Sequence, residues 1–347
     1  MRRPARYAAA LTGFLCAFSA SELRAAGNAV SPTPPCITSA AARPLKAEIG
    51  PQLIAFDASP FPYRGNKPSD GKPFIDVVQN GRHGHTAPRG GVRWEDETYS
   101  NRNTLIYIPK GFVASPRALI VVFLHGNHTE LARDVYQRQR IPQQLAASGL
   151  NAVLIAPQFA LDAADSSAGH FWEPGFFRKY LSEAAHHLAE LHGDRCSQSA
   201  FERMKIVLVG YSGGYNAAAY ALEVGDANSR LHGVALFDAL YGETEKFDAW
   251  IDQRGPAFFF SAYSDSSQTE NAALQRSLKE RRQRFHVLSK SPPHLRLTRG
   301  SLTFLAAGGD IQHNDFMTEA WVADPLAAVL AGIDGPRIPQ PRPLNTR

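Results

Sequence analysis

The stretch of this chain best equipped for chemistry is Gly210-Tyr211-Ser212-Gly213-Gly214, a G-x-S-x-G pattern. It follows the apolar run Ile206–Val209 and precedes an Ala-rich helical sequence from Asn216. A serine placed between two such elements sits on a sharp, strained turn. Glycines on either side leave room for close backbone packing, so the hydroxyl projects from the end of the strand. The positive N-terminal end of the following helix is directed at the same place. This is the setting of a nucleophile, Ser212. The pattern alone also describes a Gly-rich turn or a phosphate loop, but a phosphate loop calls for Lys beside the Ser/Thr, and none is present.

A serine nucleophile needs a base to take its proton and an acid to hold that base in the right tautomer. The late histidines are His286, His294 and His313. His286 lies inside the apolar run FHVL and reads as a strand residue, and His294 follows Pro292-Pro293. His313 sits in a loop that opens on Gly308-Gly309 and ends before the last helix. Two aspartates stand at strand ends. Asp238 closes the run VALF directly, and Asp265 follows Ala257–Phe260 by a short turn. Either could hold the far nitrogen of an imidazole, and the loser is a loop cap or turn former.

These residues need a frame. Short, continuously apolar runs cover Thr104–Ile108, Leu119–Leu124, Asn151–Ile155, Ile206–Val209, Val234–Phe237 and Ala257–Phe260. Such runs are expected of strands covered on both faces. Helical patterns lie between them, at Val135–Ser148, Pro174–His192, Tyr215–Val224, Thr244–Gln253 and Thr269–Arg284. The alternation predicts an α/β fold, a mostly parallel central sheet with helices on both faces. In that architecture functional groups collect at the carboxyl ends of the strands, which is where the candidates stand.

On these residues the chain resembles the α/β-hydrolase superfamily, over most of Thr104 to Val329. Leu119–Leu124 followed by His125-Gly126-Asn127-His128 is similar to the superfamily's HG segment. The resemblance implies an oxyanion hole from the backbone N–H groups of Asn127 and Gly213, with the His125 side chain bracing the loop. The Gly308–Phe316 loop resembles the catalytic-histidine loop, so the implied base is His313. Asp265 matches the commonest position of the acid, with Asp238 as the alternative that some lipases use. The implied activity is attack of Ser212 on a carboxylic ester. Amide hydrolysis or acyl transfer on the same groups, and a non-catalytic envelope binding protein of this fold, are the alternatives. No metal or organic cofactor is implied.

Other features frame the substrate. Gln158 to Arg178 is a long insert carrying Phe159, Phe171, Trp172, Phe176 and Phe177. It reads either as a lid or aromatic wall of an acyl pocket or as packing over the sheet edge. Tyr211, His128, Phe171 and Trp172 are the expected pocket residues, for a small-molecule or lipid-like ester. His186, His187 and His192 share a helix but lack H-E-x-x-H spacing, and His83 and His85 have no further support as ligands. Arg276 to Arg284 reads as a solvated basic face without the interleaved aromatics of nucleic-acid binding.

Length and composition set the outer bounds. The chain has 347 residues, 44% hydrophobic and 20% charged, which excludes wholesale disorder and collagen-like structure. Its formal net charge of +5 hints at anionic partners. Locating the charges withdraws the hint, because Arg2, Arg3, Arg6, Arg24, Arg337, Arg342 and Arg347 lie in the terminal segments. Residues 1–26 have the layout of a cleaved export signal, with arginines before the short apolar run Ala8 to Ala20. The expectation is therefore a secreted or periplasmic protein with no membrane span after cleavage. A flexible linker is expected at 27–48, one hydrolase domain at 49–335 with an irregular extension to about residue 100, and a Pro-rich tail at 336–347. Three cysteines are too few for a disulfide scaffold, though Cys36 and Cys196 could pair. Nothing in the sequence speaks to oligomeric state.

Overall fold

The computed structural model describes residues 43–88, 90–289 and 295–339. The described residues all fall within the compact unit Thr38–Arg347. The residues expected to form an export signal, most of the expected linker, His294 and the end of the expected tail lie outside them.

The strands, in chain order, are β1 (Ile49–Ala55), β2 (Val77–Gln79), β3 (Arg82–Thr86), β4 (Val92–Trp94), β5 (Asn103–Ile108), β6 (Leu119–Leu124), β7 (Ala152–Pro157), β8 (Lys205–Tyr211), β9 (Leu231–Phe237), β10 (Phe258–Tyr263), β11 (His286–Leu288) and β12 (Leu302–Ala306). Nine of them form the main sheet, in the order β1-β5-β7-β6-β8-β9-β10-β12-β11. β1 and β5 run antiparallel to their neighbours at one edge, and from β7 onward every pairing is parallel. β2, β3 and β4 make a separate antiparallel ribbon within the irregular extension.

The helices are α1 (Glu95–Thr98), α2 (Ile141–Ala147), α3 (Phe176–His192), α4 (Gln198–Arg203), α5 (Gly214–Glu223), α6 (Thr244–Gln253), α7 (Gln268–Glu280) and α8 (Pro325–Gly332). They cover both faces of the sheet, as the side-chain alternation along each strand requires. Ile120, Val122 and Leu124 of β6 pack into a core shared with α3, α5, α6 and α7. Leu119, Val121 and Phe123 of the same strand pack into the opposite core, with α2 and α8. β6 and β7 are buried at every position, which is why they read as unbroken apolar runs.

One expectation changes. The helix predicted over Val135–Ser148 is broken into a π-helical turn, Leu131–Arg138, and α2. Arg140 between them is left-handed, with φ 54°, and Pro142 enters the first turn of α2, where its missing N–H costs nothing. Residues 336–338, at the start of the expected tail, are hydrogen-bonded to the domain. Asn151 N–H donates to Pro336 O, Ile338 N–H donates to Gly149 O, and Arg337 donates to the last carbonyls of α8, including Ala331 O at 2.7 Å.

Candidate active site

Ser212 stands between β8 and α5 with φ 52°. A non-glycine residue there carries strain of about 1–2 kcal/mol, which the packing around it must offset. The glycines make that packing feasible. A Cβ on Gly214 would lie 2.2 Å from the carbonyl oxygen of Leu124, and one on Gly126 would lie 2.6 Å from the Cβ of Ser212. The elbow and the loop after β6 therefore touch backbone to backbone.

His313 opens the short 3-10 turn His313–Met317. A capping box between Gln312 and Asp315 fixes the backbone there, with Gln312 N–H donating to Asp315 Oδ2 at 2.8 Å. Its Nε2 lies 2.8 Å from Ser212 Oγ and its Nδ1 lies 2.6 Å from Asp238 Oδ2. The imidazole stacks on the Tyr211 ring at 5.2 Å between centroids, and Tyr211 O–H donates to the carbonyl of His313. Burial pushes the Tyr211 phenol up to about 12, so it remains a neutral donor.

Of the two candidate aspartates, the structure brings Asp238 to the imidazole and leaves Asp265 away from it. Asp265 is solvent-exposed in the turn after β10 and makes no hydrogen bond to His313. Asp238 is fully buried at the end of β9, with φ 41°, and its carboxylate reaches the imidazole. The loop that carries Asp265 donates hydrogen bonds to the Asp238 carboxylate, and Tyr241 adds one from the loop after β9. Ser264 N–H and Oγ both donate at 3.0 Å, Ser266 Oγ donates at 2.9 Å, Ser267 Oγ also donates, and Tyr241 O–H donates at 3.1 Å. Burial disfavours the charged form of Asp238. The donors together outweigh it and hold the carboxyl well below the usual carboxylate range. Tyr241 and the serines of Ser264-Asp265-Ser266-Ser267 were not singled out from the sequence. The legible signal was a run of hydroxyl donors after a strand that neighbours an aspartate-terminated strand.

Asn127 and Gly213 stand side by side next to Ser212. The Asn127 side chain accepts from Ser166 Oγ at 3.0 Å, and a Cβ on Gly213 would fall 2.5 Å from both Asn127 Oδ1 and Ser166 Oγ. His125 braces this loop as a neutral imidazole. Its Nδ1–H donates to Gly126 O at 2.7 Å, and its Nε2 accepts from Phe159 N–H at 2.9 Å. Burial pushes His125 down to about 4.

A cleft of about 810 Å³ opens over these groups, lined in part by His128, Arg138, Ser166, Tyr215, Tyr241 and Asn314. Phe171 does not reach it. Its ring is fully buried, packed against Phe159, Phe177 and Tyr180. The aromatic insert is thus mainly core packing over the sheet. Trp172 is half-buried and lines a neighbouring hollow. Cys196 is disulfide-bonded, and Cys36 lies outside the described residues. Among the described residues no helix is long and apolar enough to cross a membrane.

The strand order, the antiparallel first strands and a serine elbow at the carboxyl end of a central parallel strand give the chain the α/β-hydrolase fold. No family model matches the sequence, and no curated protein matches it. Among solved structures the chain is similar to a ferulic acid esterase, at 10% identity over 66% of this chain and 92% of that one, TM-score 0.40. It is similar to an S-formylglutathione hydrolase from Agrobacterium tumefaciens, at 12% identity over 70% and 92%, TM-score 0.41. It is also similar to esterase 2 of Thermogutta terrifontis, at 15% identity over 66% and 85%, TM-score 0.37.

Proposed function

We propose that the protein is an exported serine hydrolase that cleaves a carboxylic ester through an acyl-enzyme. The observation that carries this is the continuous relay from Ser212 Oγ through His313 to buried Asp238, with 2.8 Å and 2.6 Å steps. Asp238 accepts from Nδ1–H, which leaves the Nε2 lone pair facing the serine hydroxyl. As Oγ attacks the ester carbonyl, Nε2 takes its proton. The new oxyanion falls between the N–H groups of Asn127 and Gly213. His313 then gives the proton to the departing alkoxide, and the alcohol leaves. Water, deprotonated by Nε2, attacks the acyl-serine. The carbonyl re-forms, Oγ regains its proton, and a carboxylic acid is released. Export rests on residues 1–26, and N-terminal sequencing of the protein recovered outside the cytoplasm tests it.

A fluorophosphonate probe tests the chemistry. The folded protein should be labelled and the Ser212→Ala variant should not. Absence of labelling, or equal labelling of the two, overturns the proposal.

A further inference from the structure

A second hollow of about 390 Å³ lies beside the catalytic cleft, and Ser166 and Tyr215 line both. Its walls come from two sources. The irregular extension contributes Lys67, Ser69 and His85, the last on β3 of the small ribbon. The hydrolase core contributes Asp165, Trp172 and Asn216. The ribbon pairs with no strand of the main sheet, so this part of the wall is something the extension adds.

The wall is built of polar groups held in place. His85 is 2% exposed and stacked on Phe74, and its Nδ1–H donates to Phe74 O at 2.6 Å. That leaves Nε2 as an acceptor. Asp165 is 6% exposed, one oxygen accepting from the Tyr99 hydroxyl and the other from Ser167 N–H. A carboxylate oxygen has more than one lone pair, so each keeps accepting capacity. Asn216 accepts from Trp172 Nε1 at 3.1 Å, which orients its amide as a donor. Trp172 is wedged edge-on among Tyr63, Phe74 and Tyr220 and cannot rotate freely. Lys67, its ammonium held 3.4 Å from Asp70, adds a cation with donors to spare, and Ser69, Ser166 and Ser167 add hydroxyls.

Closely spaced donors and acceptors beside a fixed aromatic ring match the surface of a sugar, which alternates hydroxyls with faces of polarised C–H. They match a hydrocarbon chain poorly, because each buried polar group would lose water without gaining a partner. We infer that this hollow seats a hydroxyl-rich, sugar-like moiety of the ester whose carbonyl lies at Ser212. The inference rests on the ester-hydrolase reading for its placement, and it names the substrate class. It also assigns a purpose to the ribbon: to supply a specificity wall.

The test compares matched esters. A monoacetylated methyl glucoside is set against hexyl acetate, which places the sugar on the alcohol side. The methyl ester of a methyl glucuronoside is set against methyl hexanoate, which places it on the acyl side. The protein should prefer at least one sugar ester over its hydrocarbon match by about tenfold or more in kcat/KM, since unpaired polar groups penalise the wrong partner. Lys67→Ala should remove most of that preference while leaving p-nitrophenyl acetate turnover and fluorophosphonate labelling within about twofold, and Trp172→Ala should lose it too, read as the ratio of sugar-ester to hydrocarbon-ester rates within that variant. Lys67 lies on the extension outside the hydrolase core, so its variant keeps the test valid if Trp172→Ala does not fold. Equal rates on sugar and hydrocarbon esters overturn the inference, as does a parallel loss on both classes in the variants. If the fluorophosphonate fails to label, the hydrolase reading is what falls. Saturation-transfer NMR with methyl glucoside, on the full chain and on Lys67→Ala, then decides the sugar site separately: binding lost in the variant upholds it, and no binding overturns it.

Discussion

His125 offers a sharp quantitative prediction, because its contribution to stability is tied to pH. Both ring nitrogens are committed within the loop that carries Asn127, Nδ1–H to Gly126 O and Nε2 to Phe159 N–H. Protonation would break the second bond and leave a charge in a fully enclosed site. Burial accordingly pushes the group down from 6.5 to about 4, with the Gly126 hydrogen bond and the Asp134 charge opposing it only in part. Between those values the unfolded chain binds a proton that the folded chain refuses. Stability therefore rises with pH in that window, is complete above about 6.5 and is lost as pH falls toward about 4. At about 1.4 kcal/mol per pH unit, the loss amounts to about 3 kcal/mol. The perturbation is His125→Asn, which can keep a donor toward Gly126 but does not titrate. Urea unfolding at pH 7, 5.5 and 4 should show the variant destabilised at pH 7 by about 1–3 kcal/mol. The parent should then lose about 3 kcal/mol more than the variant between pH 7 and 4. Parallel pH profiles for the two proteins would refute the reasoning.

Further outcomes follow from the same geometry. Asp238→Asn should lower kcat by about 10⁴, because the wrong imidazole tautomer then faces Ser212, whereas Asp265→Asn should stay within about threefold; steady-state hydrolysis of p-nitrophenyl acetate separates them. Phe171→Ala should cost about 3–5 kcal/mol in chemical denaturation, since its ring is core, yet leave KM of the folded protein nearly unchanged. Gly214→Ala places a methyl carbon 2.2 Å from Leu124 O, so it should destabilise by about 1–3 kcal/mol and abolish labelling even where the variant still folds, as seen by circular dichroism.

The parallel core of the sheet was legible because its strands are buried on both faces, and continuous apolar runs have no other economical home. β12 is hard to read from sequence because Thr303 interrupts its apolar run after a single leucine. β1 is hard to read because it lies at the sheet edge and shows mixed exposure. In the segment after β6, amphipathic periodicity continues across Arg140 and Pro142, where only backbone geometry reveals the break.

For the candidate site, local order carried the elbow and the histidine loop. Gly210–Gly214 must turn sharply between strand and helix whatever surrounds it, and His313 lies in a glycine-led loop ahead of the final helix. The choice between Asp238 and Asp265 was not local. Both follow strands, and β9 and β10 lie side by side in parallel register. What separates them is the path of each chain beyond the sheet. β9 is followed by Asp238, whose positive φ accompanies a carboxylate turned toward His313, and β10 is followed by serines whose hydroxyls converge on that carboxylate. The pocket divided the same way. Composition made the insert aromatic, but only packing decided that Phe171 would be sealed in the core while Trp172 kept an edge on a polar hollow. Sequence by itself determined which residue types stand at strand ends, since patterning along one segment is a local property. Which of them meet depends on the lateral order of strands and the direction of loops, and that exists only once the sheet is assembled.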